Sequence, residues 1–174
     1  MSELELQTAS AEETEALAAE IAEGLVGGEV ILLTGGIGSG KTVFAKGVAR
    51  GLGIEEIVVS PSFLLQRTYE GRLELDHFDL YRLTEASEVD ELGIDEFADA
   101  GAVVVVEWAD RFEDPLAPPF LRVAMDLGEG EDDRRLVLTP VGGDWEERLA
   151  PIAERLEAEA AAAGAEGAEG GDGA

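Results

Sequence analysis

The most informative segment of the sequence is VILLTGGIGSGKTVFAKGVARGLG, which runs from residue 30 to residue 53. It opens with a continuous apolar run over 30–34, which is typical of a strand covered on both faces of a sheet. Residues 35–42, the glycine-rich loop, then match the pattern G-x-x-x-x-G-K-[ST] at every fixed position. Apolar residues recur at helical spacing after the loop, and Gly53 ends the predicted helix. The motif therefore lies between a predicted strand and a predicted helix, which is the structural context that this motif requires.

The glycine-rich loop has the composition that phosphate binding demands. Glycines let the backbone curl so that successive N–H groups point inward at a phosphate, and the following helix adds the positive end of its dipole. Lys41 is expected to reach the β- and γ-phosphates, and the Thr42 hydroxyl to ligate Mg²⁺. From ordinary residue frequencies, a chance match has a probability below about one per cent. The predicted nucleotide contacts are Gly35, Gly38, Ser39, Gly40, Lys41 and Thr42.

Enzymes with this loop also need a carboxylate at the end of a neighbouring buried strand, facing Mg²⁺ and the attacking water. Glu107 is the first polar residue after four valines. We expect it to hold the metal or its waters; the alternative is that it only ends a strand and meets solvent. Asp79, in the segment HFDLYR, is a candidate to orient the nucleophile or a metal-bound water. The residues of this segment alone favour the alternative in which Asp79 caps a turn. His77 would then pack into the hairpin, and we assign it no catalytic role.

Two further segments flank this predicted site. Ser60-Pro61-Ser62-Phe63 carries hydroxyl groups, Ser60 and Ser62, that would suit sensing of the nucleotide state beside the γ-phosphate. A plain turn is equally consistent with its composition. Trp108 fits core packing or anchoring of a partner protein, and core packing is favoured because aromatic residues are mostly structural.

Length and charge bound the class of protein. A chain of 174 residues fits one domain, and the absence of cysteine excludes disulfides. The net charge of −27, from 39 acidic and 12 basic residues, repels nucleic acid. This acidity is either a solvated surface or a match for a basic protein partner. The N-terminus lacks the apolar run of a signal peptide, and the longest such run, 102–106, is too short for a membrane. We expect a cytoplasmic protein.

The remaining pattern indicates an α/β layered fold with a mixed sheet flanked by helices. We predict the domain to span 1–156 and a disordered acidic tail over 157–174, although its alanine and glutamate residues could instead extend the last helix. Further strands are predicted over 4–6, 57–59, 102–106, 120–126 and 135–139, and a hairpin over 64–69 and 72–78 with a tight turn at Glu70-Gly71. Further helices are predicted after Ser10, over 84–92 and 95–100, and over 145–156 with a kink or restart at Pro151.

Together these segments resemble the TsaE family, the ATPase subunit of bacterial tRNA threonylcarbamoyladenosine biosynthesis. The resemblance covers roughly residues 4–156. The glycine-rich loop alone is shared with many enzymes, whereas HFDLYR and the Glu107-Trp108 pair at these spacings are highly specific. The motifs that carry it, in family order, are the glycine-rich loop, Ser60-Pro61-Ser62-Phe63, HFDLYR at 77–82, ELGI at 91–94 and EW at 107–108.

The resemblance implies a P-loop NTPase fold with a mostly parallel central sheet, binding of ATP and ADP, and slow Mg²⁺-dependent hydrolysis. It also implies docking on a complex of two partner subunits, TsaB and TsaD, which modify tRNA, so that this chain meets tRNA only indirectly. Gly36 stands where the family usually has an acidic residue. The family's functional positions fall on Lys41, Thr42, Asp79, Glu107 and Trp108, with adenine contacts around Thr8.

Two rival functions stay open. A small-molecule kinase would need an acceptor pocket and an arginine-rich lid, and no tight basic cluster lies between the glycine-rich loop and Glu107. A nucleotide switch would bind without hydrolysing. No arginine finger is evident in the loop, so hydrolysis is expected to be slow until a partner completes the site.

Overall fold

The structure, a computed structural model, describes residues 2–169. These residues form seven strands, five α-helices and one short 3-10 helix. In chain order the elements are β1 (Leu4–Thr8), α1 (Ala11–Glu23), β2 (Val30–Thr34), α2 (Lys41–Gly51), β3 (Gln66–Tyr69), β4 (Leu75–Asp79), α3 (Ala86–Glu91), α4 (Ile94–Asp99), β5 (Val103–Glu107), the 3-10 helix (Ala109–Arg111), β6 (Phe120–Leu127), β7 (Arg134–Val141) and α5 (Trp145–Glu169).

The seven strands form one mixed sheet in the order β1-β7-β6-β2-β5-β4-β3. The α/β fold with a mixed sheet is confirmed, but the expectation of a mostly parallel sheet is wrong. Only the β6–β2, β2–β5 and β5–β4 pairings are parallel, and the other three are antiparallel. Two of the antiparallel pairings, β3–β4 and β6–β7, join strands that are linked by short connections, which can link only antiparallel neighbours.

Strands β2 and β5 lie at the centre of the sheet and are buried on both faces. Ile31 and Val105 point into the cluster formed with α1, α2 and α5. Leu32 and Val104 point into a second cluster with α3 and α4. This two-sided burial explains the uninterrupted apolar runs in the sequence, and it holds the carboxyl ends of both strands at one edge of the sheet.

Helix α2, which follows the glycine-rich loop, packs closely on α1. A methyl group at Gly47 would collide with the carbonyl oxygen of Glu15 and lie 2.6 Å from Cβ of Ala18. A methyl group at Gly51 would likewise collide with the main chain of α1. The two glycines therefore let the helix axes approach, and this contact fixes the end of the loop against the domain.

The connection from α2 to β3 differs from its prediction. Residues 57–59 form no strand; the amide of Val59 donates instead to the hydroxyl of Tyr69 at 3.3 Å. A strand there would have to continue the sheet beyond β3, but Ile57 and Val59 face solvent. The β3–β4 connection spans residues 70–74, so the predicted tight turn is a longer loop.

Helix α5 continues through Pro151 and ends at Glu169. Trp145, Leu149 and Ile152 are buried against the core, which holds the helix on both sides of the proline. Residues 157–169 extend the last helix, which was the alternative to a disordered tail, because alanine and glutamate are strong helix formers. The rest of that tail lies outside the described residues. Within 2–169, no helix combines the length and apolar character needed to cross a bilayer.

Candidate functional site

Glycines shape the loop between β2 and α2. Gly35 has φ of 137°, and a side chain there would collide with the carbonyl oxygen of Met125 on β6. Gly40 precedes α2 with φ of 101°, in the left-handed region that favours glycine. The loop therefore curls back over the end of β2, and the N-terminal amides of α2 lie at the same edge of the sheet.

Lys41 is folded back onto its own loop. Its Nζ donates to the carbonyl oxygens of Gly35 at 2.7 Å and Gly36 at 2.8 Å, and lies 3.4 Å from the hydroxyl of Ser39. The ammonium also sits 3.8 Å from the centre of the Trp108 ring. Burial lowers the pKa of Lys41, against the attraction of three nearby carboxylates that raises it. The ammonium is held beside the cavity by contacts that an anion could replace.

The carboxyl ends of β2, β5 and β4 bring the predicted acidic residues together. Glu107 pairs in register with Leu33 on one side and Asp79 on the other. The hydroxyl of Thr42 donates to Oε1 of Glu107 at 2.8 Å, although the two residues are 65 positions apart. Thr42 and Glu107, the two predicted metal ligands, therefore meet directly.

His77 completes this contact from β4. Its Nε2 lies 2.8 Å from Oε2 of Glu107, and the side chains are 0% and 2% exposed. Burial raises the pKa of Glu107, but hydrogen bonds from His77, Thr42 and Ser60, with the charge of His77, bring it below the usual value. An ionised carboxylate can only accept, so His77 carries a proton on Nε2 and donates it.

His77 is a member of the site that the sequence did not predict. The signal that could have found it is strand alternation. His77 and Asp79 lie on one face of β4, and Glu107 lies on the same face of β5 once the two strands are paired in parallel. The Nδ1 atom of His77 has no hydrogen-bond partner among the described residues. Within the described part of the chain, the imidazole therefore makes one hydrogen bond, which is the one with Glu107.

Asp79 makes its hydrogen bonds with two neighbouring loops. Its Oδ2 accepts from the hydroxyl of Ser60 at 2.5 Å, and its Oδ1 accepts from the amide of Tyr81 at 2.8 Å. The second bond is the turn cap that the residues alone favoured. Ser60 lines the cavity, whereas Asp79 and Ser62 do not. Asp79 is therefore connected to the cavity through the hydroxyl of Ser60.

These groups surround a cavity of about 340 Å³, the lower range for small-molecule sites. Arg134 of β7 forms part of its wall. No role is predicted for Arg134 from the sequence, because it matches none of the motifs that indicate the site. The residues that line the cavity are Ile37, Gly38, Ser39, Gly40, Lys41, Thr42, Val43, Ser60, Glu107, Trp108 and Arg134.

Thr8, the predicted adenine contact, does not line this cavity. Its hydroxyl makes a buried hydrogen bond of 2.6 Å with the hydroxyl of Thr14. Thr14 borders a second, smaller cavity of about 50 Å³, which shares Gly40, Val43 and Arg134 with the larger one. The start of α1 thus adjoins the site through Thr14.

Trp108 both packs on the core and lines the cavity. It follows β5 with φ of 59°, an uncommon conformation for a residue other than glycine. Its ring lies 4.8 Å from that of Tyr81, and its other side contacts Lys41. The backbone turn after Glu107 therefore places the indole against the glycine-rich loop.

The described residues contain no group of three or more histidine, cysteine, aspartate or glutamate side chains that could hold a metal. A cation at this edge would take one hydroxyl and one carboxylate, those of Thr42 and Glu107. Mg²⁺ suits such a set, because it prefers oxygen ligands and usually keeps several waters or phosphate oxygens in its shell.

The family model described as threonylcarbamoyl adenosine biosynthesis protein TsaE matches residues 8–137, well over half of the chain. The chain belongs to the TsaE family. The resemblance drawn from the HFDLYR and EW segments is thereby confirmed. The range that matches the TsaE model contains all the predicted site residues and also Arg134, and it ends before α5.

Individual relatives agree with this assignment. The tRNA threonylcarbamoyladenosine biosynthesis protein TsaE of Bacillus subtilis is 40% identical over 147 residues, which cover 84% of this chain and 91% of the relative. The protein of the same name from Mycobacterium tuberculosis strain H37Rv is 35% identical over 133 residues, 71% of this chain and 79% of the relative. A crystal structure of Bacillus subtilis YdiB superposes with a TM-score of 0.74 at 34% identity, covering 90% of this chain and 97% of that one.

Proposed function

We propose that this chain is a Mg²⁺-dependent P-loop ATPase that supports the threonylcarbamoyl modification of tRNA. Its TsaE relatives are named for that biosynthesis. The observation that carries the ATPase proposal is the contact of Thr42 with Glu107 at 2.8 Å, beside the ammonium of Lys41. A loop lysine, a hydroxyl and a strand-end carboxylate are the protein groups that P-loop enzymes use on a triphosphate.

Nucleotide binding would begin at the glycine-rich loop. The backbone amides of the loop and the first turn of α2 supply donors and a positive dipole end for the phosphates. The ammonium of Lys41 would leave the carbonyl oxygens of Gly35 and Gly36 for the β- and γ-phosphates. The carbonyl oxygens are neutral acceptors, whereas the phosphate oxygens carry negative charge. The phosphate oxygens are therefore the stronger hydrogen-bond acceptors for the ammonium of Lys41.

Hydrolysis would take place at the edge formed by Thr42, Ser60 and Glu107. Mg²⁺, when bound there, would neutralise charge on the phosphates. The lowered pKa of Glu107 keeps its carboxylate ionised, so it can hold the metal or its waters. His77 orients that carboxylate through its hydrogen bond to Oε2 of Glu107. Asp79 fixes the hydroxyl of Ser60, and therefore acts as a positioning residue.

Two features favour slow hydrolysis in isolation and help from a partner complex of the TsaB–TsaD kind. Among the described residues that line the cavity, only Lys41 and Arg134 are basic, so few positive charges are available to stabilise the transition state. Ile37 and Phe63 are 81% exposed near the cavity, and Tyr81 is 44% exposed beside Trp108. Exposed apolar groups around a site suit protein docking, whereas the net charge of −27 disfavours direct contact with tRNA.

The test is phosphate release from ATP, with and without the purified TsaB–TsaD complex, for wild type, Lys41→Ala and Glu107→Ala. Glu113→Ala is the matched control, since Glu113 is an exposed carboxylate beyond the end of β5. We expect slow release that the partners stimulate, loss of ATP binding in Lys41→Ala, and ATP binding without release in Glu107→Ala.

Each contrary result identifies a different error. Equal release by wild type and Glu107→Ala would remove the catalytic assignment. ATP binding with no release even in the presence of the partners would favour the nucleotide switch. Transfer of phosphate to a small molecule by the chain alone would favour the kinase.

A further inference from the structure

We propose that the groove between β1 and α5 docks a basic amphipathic helix of a protein partner. The groove has a volume of about 310 Å³, with apolar residues at its floor and carboxylates at its rim. All the residues that line it lie outside the range 8–137 that matches the TsaE model. The groove is therefore a feature of the chain ends, and docking there does not depend on the proposed ATPase activity.

The groove is separate from the nucleotide cavity. Both border β7, but at its two ends, since Arg134 lines the nucleotide cavity and Pro140 lines the groove. An extended strand spans about 20 Å between these two positions. The two sites share no lining residue. A partner in the groove would therefore leave the glycine-rich loop accessible.

The floor of the groove is apolar. Leu4 of β1, Pro140 of β7 and Leu149 of α5 form it, and each is buried or half-buried. Because β1 is the last strand on its side of the sheet, no further strand of residues 2–169 covers Leu4. Ala150 and Ala153 line the groove from α5 with one methyl group each. Their small size leaves room for the apolar side chains of a second helix.

The rim of the groove is acidic, and part of its charge is unpaired. The glutamates that line it are Glu3, Glu146, Glu154 and Glu157, whereas no lysine or arginine does so. Within the described part of the chain, the carboxylates of Glu154 and Glu157 have no hydrogen bond or ion pair. An acidic rim around an apolar floor fits a helix that carries apolar residues on one face and basic residues beside them.

The other side of α5 shows that this unpaired charge is local to the groove. There, Arg155 pairs with Glu20 of α1 at 2.6 Å and with Glu159 at 2.9 Å. The chain thus neutralises the carboxylates on the α1 side of α5 and supplies no cation on the β1 side. Lysine or arginine side chains of a partner would supply that charge, while the apolar face of the same helix covers the floor.

The experiment measures the Kd of a fluorescently labelled synthetic helical peptide, with leucine on one face and lysine on the other, at about 0.15 M salt. Glu154→Gln/Glu157→Gln removes two carboxylates from the rim. Glu12→Gln/Glu23→Gln, at exposed positions of α1, is the control with the same change in net charge. Loss of two exposed ion pairs predicts a Kd about three- to tenfold higher for the rim variant. The control variant should bind the peptide as wild type does.

Two further comparisons test the apolar floor. Ala150→Gln places a longer polar side chain in the groove without changing the charge, and it should also raise Kd. Ala150 is exposed on α5, so this variant should fold as wild type does, which circular dichroism checks. A peptide that keeps its lysines but carries alanine in place of leucine should bind wild type more weakly.

Four results would overturn the proposal. Failure of wild type to bind the peptide would remove the docking site. Equal losses in the rim and control variants would assign binding to the overall negative charge of the chain. Equal affinity for the leucine-free peptide would show that the floor takes no part. Displacement of the peptide by spermine as effectively as by unlabelled peptide would assign the groove to a small polycation. ATP release by wild type tests the proposed function separately from all of these.

Discussion

Replacing His77 with leucine should destabilise the protein through Glu107. Leucine fills a similar volume, so the main effect is on the carboxylate, whose Oε2 loses its donor at 2.8 Å while the side chain stays 2% exposed. A hydrogen bond to a charged group contributes about 1.5–3 kcal/mol, and a buried acceptor left unpaired keeps its full desolvation penalty. We expect the free energy of unfolding to fall by about 2–3 kcal/mol. At a urea m-value of about 2 kcal/mol/M, the midpoint falls by about 1–1.5 M.

The assay is equilibrium unfolding in urea at neutral pH, followed by circular dichroism. His77→Gln is the matched control, because its amide N–H can replace the imidazole donor and should restore most of the loss. The double variant His77→Leu/Glu107→Leu removes the unpaired carboxylate as well, so its effect should be smaller than the sum of the two single changes. A His77→Leu midpoint equal to that of wild type would refute the reasoning. Equal losses in the leucine and glutamine variants would assign the effect to packing.

Three further predictions concern the charge, packing and fluorescence of the same region. Because the pKa of Glu107 lies below the ordinary glutamate value of 4.5, its ionised form stabilises the fold above pH 4.5, and this contribution disappears as the pH falls through the lower folded pKa. The thermal unfolding temperatures of wild type and Glu107→Gln should therefore converge on acidification, and a constant difference would contradict this. Gly47→Ala should lower the free energy of unfolding, measured in urea, by about 1–3 kcal/mol, because the added methyl group collides with α1. The control Gly164→Ala should not be destabilising, because a methyl group at this position of α5 meets nothing within 4 Å. Equal effects of the two substitutions would argue against the tight α1–α2 contact. Nucleotide binding should change the tryptophan fluorescence emission, because it draws the ammonium of Lys41 away from the Trp108 ring, whose centre lies 3.8 Å from Nζ. Trp108→Phe should abolish the change. An unaltered wild-type spectrum at saturating nucleotide would count against this movement of Lys41.

Local pattern was sufficient for the elements nearest the glycine-rich loop. The run over 30–34 predicted β2, the motif over 35–42 predicted the turn into α2, and the valines before Glu107 predicted β5. These predictions succeeded because burial on both faces of a strand and curling at glycine are consequences of neighbouring residues. The strand predicted over 57–59 is absent because a strand also requires a neighbouring strand with which its backbone can pair, and local sequence does not supply one.

The class of fold, the glycine-rich loop and the family follow from the amino-acid sequence, because each depends on residues close together in the chain or on motifs in a given order. The three-dimensional arrangement was needed to show that His77 supports Glu107, that Ser60 connects Asp79 to the cavity, and that Arg134 faces the loop from β7. Those contacts join residues 30, 19 and about 90 positions apart. They exist because parallel pairing of β2, β4 and β5, with β6 and β7 beside them, sets which side chains share one edge of the sheet. No local propensity specifies that pairing.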